Sequence, residues 1–379
     1  MIRIGVFSKP LDNWTSGSGQ HLNEILTHAL DINDREGRFE FTFIHYRESG
    51  NPIYARVREL IIPRNPLLAA FILRREGFDL LHYGPLTIFA PIWFVRAKRM
   101  ATIHGAEQLL NPQLYGWLEM THERMVVPFY ARQMDAIVTV SETSKRYFTE
   151  HFGVESARVT VCYNGLSPAY RTLSAEERCA AKGPAIDEPY ILHLSRFSER
   201  KNPWTMLEAF ARLRRTDPRA KDFKLVCAGK GWEGEAVRAR ARELGLADAY
   251  MAPGFIDRET SVALMNGARA FLFPSLAEGF GMPNLEAMAC SCPVVTTRVF
   301  AIPEIVGDAA IILDDPLDAD AMSGALARAC FDGALRERLI TAGLRRLPLF
   351  SWDESAGKLL GVYGMLTMGD SSSNPSAVR

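Results

Sequence analysis

The sequence predicts an α/β protein built from two Rossmann-like, doubly wound parallel-sheet domains that face each other across a cleft. Three observations carry this. Strand and helix patterns alternate from the N-terminus onward. The alternation breaks at one polar stretch and then restarts. The chain has 379 residues, long for a single hydrophobic core.

The first series opens with the strand "RIGVF" (3–7) and the helix "QHLNEILTHAL" (20–30). The strand "FEFTFIHY" (39–46) follows, then "DLLHY" (79–83), "RMATIH" (99–104), "DAIVTVS" (135–141) and "RVTVCYNG" (158–165). These define an N-terminal Rossmann-like domain over residues 1–172. "LSAEERCAAKGPAIDEP" (173–189) is polar, holds Gly and Pro, and reads as the linker. The second series runs "YILHLSR" (190–196), "FKLVCAGKG" (223–231), "AYMAPG" (249–254), the strand at 270–273, "PVVTT" (293–297) and "AAIILDD" (309–315). It defines a C-terminal Rossmann-like domain over 190–350. "SWDESAGKLLGVYGMLTM" closes the chain as a helix (351–368), and the tail 369–379 is expected to be disordered.

Composition narrows the class. Hydrophobic residues make up 47% and charged residues 23%, as in ordinary globular proteins. Lys plus Arg equals Asp plus Glu at 44 each, which argues against a dedicated nucleic-acid binder. Six cysteines do not make a disulfide scaffold; Cys162, Cys227, Cys290 and Cys292 read as buried thiols in a reducing compartment. Cys290 and Cys292 form C-x-C, but no further ligand is placed to complete a metal site. "MIRIGVFSKP" lacks a signal-peptide apolar region, so a cytoplasmic protein is expected. "PLLAAFIL" (66–73) and "IFAPIWFV" (88–95) are too short to span a membrane, and cations follow both. They read as core segments with basic ends, or as contacts with the inner face of a membrane.

The chemistry concentrates in "SLAEGFGMPNLEAMACSCPVV", which starts at Ser275. A buried strand precedes it, and a Gly-rich loop leads into a helix with Pro283 in its first turn. A second strand follows. A helix N-terminus at the carboxyl edge of a parallel sheet favours an anion, and glycines let that anion approach the backbone. Glu286 falls in the first turn, where a carboxylate suits the helix dipole and can accept hydrogen bonds from vicinal hydroxyls. Glu278 leaves the loop ahead of the glycines. Either acid alone reads equally as dipole complementation or a solvated loop charge. Together they outline a ligand with phosphate in the middle and hydroxyls at both ends, such as a nucleotide sugar.

Other strand ends add to this. In "HLSRFSERKN" (193–202), Arg196 and Lys201 suit a diphosphate. In "AGKGWE", Gly229 can bring backbone close to a base or ribose. In "PGFIDRET", Phe255 and Ile256 can wall a nucleobase. Gly17 and Gly19 of "TSGSGQHL" form a partial dinucleotide fingerprint without its third glycine, which weakens a dehydrogenase reading. They fit close backbone approach to a phosphate or sugar. His104 in "TIHGAE" is a strand-end histidine, with His82 and His21 weaker instances; each can equally be a satisfied structural residue. Asp318-Ala-Asp320 is a D-x-D that reads as a helix cap rather than a metal site.

"EGFGMPNLEAMACSCPVV" resembles the E-x7-E signature of the retaining glycosyltransferases of family 4, which have the GT-B fold. The likeness extends over nearly the whole chain, through "TIHG", "VTVSETSKRYF", "VCYNGL", "SRFSERKN", "AGKGWE", "IPEIVGDAAIILDDP" and "FSWDE". The resemblance implies a metal-independent, retaining hexosyltransferase without a cofactor. Its donor would be a nucleotide diphosphate sugar of mannosyl or glucosyl type, and its acceptor a glycan or lipid-linked molecule. Glu286 would hold the ribose and Glu278 the donor sugar. Amides from Phe280, Gly281, Met282, Pro283, Asn284 and Leu285 (Pro283 by its carbonyl side) would line the sugar and phosphates. Arg196 and Lys201 would neutralise the diphosphate, and His104 would line the sugar site. The closing helix would return to the first domain. Two departures stand out: Ser291 replaces the glycine of A-x-G-x-P, and the early loop is G-S-G. A nucleotide-sugar epimerase or a non-catalytic sugar-nucleotide binder remain alternatives on the same architecture.

Overall fold

The structure, a computed structural model, describes residues 1–13, 16–84, 86, 91–180 and 186–368. The tail expected at 369–379 lies outside them. The chain divides into two compact units, Met1–Gly165 with Phe350–Arg379, and Leu166–Leu349.

The first unit holds seven strands: β1 (Ile2–Phe7), β2 (Phe39–His45), β3 (Arg58–Ile61), β4 (Leu80–Tyr83), β5 (Lys98–Thr102), β6 (Ala136–Thr139) and β7 (Val159–Val161). They lie in the order β3-β2-β1-β4-β5-β6-β7, every pairing parallel. Both faces of the sheet are covered, so its central strands are apolar throughout rather than alternating. The helices Gly17–Glu36 and Trp352–Met368 share one core with β1 and β2. Residues of the helices Pro66–Glu76 and Glu142–His151 pack on the other face.

The second unit holds β8 (Tyr190–Leu194), β9 (Lys224–Ala228), β10 (Tyr250–Gly254), β11 (Ala270–Phe273), β12 (Val294–Thr297) and β13 (Ala310–Leu313). Their order is β10-β9-β8-β11-β12-β13, again parallel. In both sheets the strand order reverses beside the first strand, between β1 and β4 and between β8 and β11. Connections leave in opposite directions there and open a crevice at the carboxyl ends.

The unit boundary falls after Gly165, earlier than the sequence-based 172. The cause is local bonding: Leu173 N donates to Asn266 Oδ1 at 2.8 Å, and Asn266 Nδ2 donates to the Arg171 carbonyl at 3.0 Å. The expected linker also contains a short helix, Ala175–Ala180, ahead of its undescribed part. The edge strand β3 has no counterpart in the sequence reading; "RELI" is short, mostly exposed and carries two charges.

The closing helix Trp352–Met368 packs within the first unit. Trp352, Leu359, Leu360 and Tyr363 are buried among Ile25, Leu26 and Phe39, each such side chain worth roughly 1.5–3 kcal/mol of apolar burial. Polar ties fix its register. Ser355 Oγ donates to the Tyr163 carbonyl at 2.6 Å, and Tyr363 Oη lies 2.7 Å from His82 Nδ1. His82 Nε2 meets Thr102 Oγ1 at 2.7 Å. Burial lowers His82 to about 3 and keeps it neutral, so this histidine is a satisfied core residue.

Gly165 is the contact that lets this helix start. A Cβ there would lie 2.6 Å from Trp352 Cδ1. Gly165→Ala should therefore destabilise the first unit by roughly 1–3 kcal/mol, read as a lower melting temperature. In a Trp352→Ala background the same change should cost less but not nothing, because the Cβ would still meet the backbone nitrogen of residue 352. Equal losses in both backgrounds would show that the Trp352 ring is not the cause.

Candidate active site

In the second unit, the two loops at the strand-order reversal carry most of the predicted donor-side residues. The first loop leaves β8 and contains Arg196 and Lys201; the second leaves β11 and contains Glu278. A backbone bond ties them together, Leu276 N donating to the Arg200 carbonyl at 2.7 Å. Lys201 and Glu278 form an ion pair, with Lys201 Nζ also 4.6 Å from the centre of the Phe273 ring. Lys201 is 7% exposed, so the pair is held in a site of low solvent access, where it is electrostatically strong. Sequence reasoning gave these two residues separate parts of a ligand; the structure pairs them directly. Arg196 is exposed on the same loop.

The floor beneath the first loop is aromatic. Trp232 is fully buried, and its Nε1 donates to the Ser195 carbonyl at 2.8 Å. His193 Nδ1 donates to the Leu272 carbonyl at 2.8 Å, which leaves Nε2 to accept from Ser195 Oγ at 2.7 Å. Burial lowers His193 to about 3, so the ring stays neutral. Thr296 and Thr297 hold the second loop, donating to the carbonyls of Phe273 (2.9 Å) and Ser275 (2.6 Å).

The helix Met282–Ala289 starts at Gly281, whose φ of 87° is left-handed and favours glycine. Among the described residues no side chain caps this N-terminus, an arrangement that suits an anion. Phe280, Gly281, Asn284 and Leu285 are buried, while Met282 and Pro283 are half-buried. Both polar atoms of the Asn284 amide are buried without a hydrogen-bond partner among the described residues. Glu286, one turn on, is 8% exposed. Burial raises its carboxyl to about 7; the Tyr170 hydroxyl and the Arg258 charge oppose that rise.

The glycines divide. A Cβ on Gly229 (φ 121°) would lie 2.7 Å from the Ser195 carbonyl carbon, so this glycine serves packing between the ends of β8 and β9. Phe255 is 78% exposed and Ile256 half-buried. In the first unit Gly17 is exposed at the start of its helix. Gly19 instead sits against the chain's own Pro10 carbonyl, where a Cβ would be 2.7 Å away. The Pro10–Asn13 turn therefore requires a glycine at position 19 by itself.

His104 follows β5. Its ring meets His21 edge-on at 4.7 Å, and His21 Nδ1 donates to Asn164 Oδ1 at 2.6 Å. Burial lowers His21 to about 4 and His104 to about 3. The His104 carbonyl accepts from Ser144 Oγ at 3.2 Å. Asp318 caps the helix Ala319–Phe331 and Asp320 pairs with Arg212, so the D-x-D is structural. Cys290 and Cys292 are buried thiols.

Residues 24–170 match the profile of Glycosyltransferase Family 4, and residues 176–346 match that of Glycosyl transferases group 1. The chain belongs to glycosyltransferase family 4. Among its relatives is the O-antigen chain mannosyltransferase B of Escherichia coli, 28% identical over 319 residues, covering 83% of this chain and 81% of the relative. A glycogen synthase of Mycobacterium tuberculosis is 27% identical over 352 residues, covering 89% and 80%. In structure, the chain is similar to a sucrose-phosphate synthase from Thermosynechococcus elongatus, with a TM-score of 0.76 at 20% identity, covering 97% of this chain and 100% of that one. Anabaena Alr3699/HepE, solved with UDP and glucose, gives 0.72 at 16% identity, covering 96% and 99%. The fold of this family 4 member is GT-B.

Sequence reasoning missed His193, Trp232, Tyr170 and Arg258. The first two lay inside stretches already singled out, but nothing in their spacing marks them as a floor. Tyr170 and Arg258 are far apart in sequence and become neighbours of Glu286 only in three dimensions.

Removing one partner of a buried ion pair leaves the other uncompensated. Lys201→Met should destabilise the second unit by roughly 3 kcal/mol, measured by chemical denaturation. Adding Glu278→Gln should restore part of the loss. If the single change were neutral, or the double change fully additive, the pair would not be energetically coupled.

Proposed function

We propose that this glycosyltransferase is a metal-independent, retaining hexosyltransferase. It moves a mannosyl- or glucosyl-type group from a nucleotide diphosphate sugar to a glycan or lipid-linked acceptor, in polysaccharide or glycolipid synthesis. The observation that carries the reading is the meeting, at the strand-order reversal of the second unit, of Lys201, Glu278, Glu286 and an uncapped helix N-terminus. Relatives named as mannosyltransferase and glycogen synthase support the sugar type. The neighbour solved with UDP and glucose supports a nucleotide-bound donor.

In this reading the helix amides, Arg196 and Lys201 receive the diphosphate. As the bond from the anomeric carbon to the phosphate oxygen breaks, negative charge grows on the leaving group, and these donors stabilise it without a divalent ion. Glu286 accepts hydrogen bonds from the ribose hydroxyls. Glu278, oriented by Lys201, accepts them from the donor sugar. The acceptor oxygen bonds to the anomeric carbon on the face the phosphate leaves, and its proton passes to that phosphate. In the first unit, His104 is a neutral ring suited to exchanging a hydrogen bond with a sugar hydroxyl.

The two glutamates should separate in a binding and turnover experiment. Glu286→Ala should weaken binding of the nucleoside diphosphate product. Glu278→Ala should leave that binding nearly intact, because the product lacks the sugar, yet slow transfer by about 10²–10³-fold, or roughly 2–4 kcal/mol. Product anomers read by NMR should show retention, and activity should survive excess chelator. Equal losses of product affinity in both variants would remove the division of ribose from sugar. Inverted product or chelator-killed turnover would remove the corresponding part of the mechanism.

The work site is proposed to be the cytoplasmic face of a membrane. No helix among the described residues is long and apolar enough to cross one. The helix Pro66–Glu76 buries Ala69, Ala70 and Leu73 but leaves Leu67 66% and Phe71 57% exposed, ahead of Arg74 and Arg75. Phe94 is 71% exposed just before Arg96, Lys98 and Arg99. Apolar side chains beside cations fit an anionic lipid surface. The protein should co-sediment with phosphatidylglycerol-containing vesicles but not with pure phosphatidylcholine, and Leu67→Ser/Phe71→Ser should reduce this. Indifference to lipid charge and to these changes would discard membrane contact.

A further inference from the structure

The stretch "AGKGWE" has no part in the reaction above, yet its backbone runs along the loop that carries Arg196. Two backbone bonds prolong the β8–β9 pairing beyond the strands. Ser195 N donates to the Ala228 carbonyl at 3.1 Å, and Phe197 N donates to the Lys230 carbonyl at 3.0 Å. Glycines permit this closeness: a Cβ on Gly231 would lie 2.9 Å from Phe197 Cβ, as one on Gly229 would meet Ser195. Trp232 then closes on the same loop. Its ring meets His193 edge-on at 4.8 Å and Phe197 edge-on at 5.2 Å. Its Nε1 donates to the Ser195 carbonyl at 2.8 Å. Tyr250 Oη donates to the Trp232 carbonyl at 2.7 Å and holds the clamp from behind. Residues 193, 195 and 197 are thus fixed in alternation, as extended backbone allows. Arg196 is the exposed residue between them.

We propose that Trp232 is a positioning residue for Arg196: its indole N–H and ring lock the backbone on both sides of that arginine, so the guanidinium is presented to the diphosphate from a fixed base. This rests on the reading of Arg196 as a diphosphate-binding residue. An exposed arginine loses side-chain freedom when it grips an anion. If its backbone also had to order, that cost would add to the first and weaken the contact. A locked backbone leaves only the side chain to order.

The hydrogen bonds make the lock directional. Ser195 is tied at three atoms to three different residues: its N to Ala228, its carbonyl to Trp232 and its Oγ to His193. The His193 ring has no freedom to release it. Its Nδ1 proton is spent on the Leu272 carbonyl, so Nε2 can only accept, and the Ser195 hydroxyl donates to it at 2.7 Å. Trp232 is fully buried. Turning the Ser195 peptide would strand its indole N–H in an apolar core without an acceptor, which is costly. One orientation of the peptide before Arg196 is therefore selected.

The test is a double-mutant cycle read by calorimetry with UDP and with GDP, on wild type, Trp232→Phe, Arg196→Ala and the double variant. Trp232→Phe keeps an aromatic ring in the clamp and removes the indole N–H. Arg196→Ala should weaken binding by roughly tenfold or more, and Trp232→Phe by about fivefold. In the Arg196→Ala background, Trp232→Phe should change affinity by less than about twofold, because the group it positions is gone. A purely structural tryptophan would lower the melting temperature without this dependence on Arg196. Ser195→Ala, which releases only the His193 tie, is the milder second variant. It should weaken binding in the wild-type background and not in the Arg196→Ala background, and it carries the test if Trp232→Phe does not fold. If Arg196→Ala weakens binding but both clamp variants bind like wild type, or lose the same factor in both backgrounds, the positioning role is overturned while the diphosphate reading stands. If wild type binds neither nucleotide, or Arg196→Ala binds like wild type, the diphosphate reading fails and takes this inference with it.

Discussion

Each unit is organised by the point where its strand order reverses. In the second unit β9 lies on one side of β8 and β11 on the other, so the chain leaving β8 and the chain leaving β11 diverge above the sheet. The Leu276–Arg200 backbone bond and the Lys201–Glu278 pair close the base of that divergence. The Gly-rich turn at Gly281 then aims a helix N-terminus into it. The positions of the charged side chains follow from the sheet.

The site holds three kinds of charge in different states. Lys201 and Glu278 compensate each other and sit over an aromatic ring, so they form a rigid neutral pair. Glu286 is buried, and burial raises its carboxyl to about 7. Arg196 is exposed and solvated. The cluster thus holds one exposed cation, one buried ion pair and one carboxyl whose charge depends on its surroundings. The first unit differs. Its His21, His82 and His104 are held neutral by desolvation, so their contribution is hydrogen bonding rather than charge.

The central strands were legible because parallel sheets bury both faces and produce short apolar runs: "AFLF" at Ala270–Phe273 matches β11 to the residue. The helix Met282–Ala289 was legible from Pro283 and the glycines before it. The strand β3 was not, because an edge strand has no second neighbour to bury it and its residues stay charged. The acids of the E-x7-E stretch were legible through local spacing. Their partners were not: Tyr170 and Arg258 reach Glu286 from elements 116 and 28 positions away by sequence number. No periodicity in one stretch encodes such a contact.

Glycine is the residue whose meaning the sequence left most open. A glycine is required wherever a Cβ would collide, whether the colliding atom belongs to a ligand or to the chain. Gly19 and Gly229 meet the chain's own carbonyl groups, while Gly281 is needed for its left-handed φ. Ser291 shows the reverse case. It adopts a φ of 54°, a conformation that costs a non-glycine residue roughly 1–2 kcal/mol. Its hydroxyl in turn bonds Thr172 at 2.6 Å, a contact glycine could not make. The serine at this position therefore trades backbone ease for a tie that fastens Thr172 to the end of the helix Met282–Ala289.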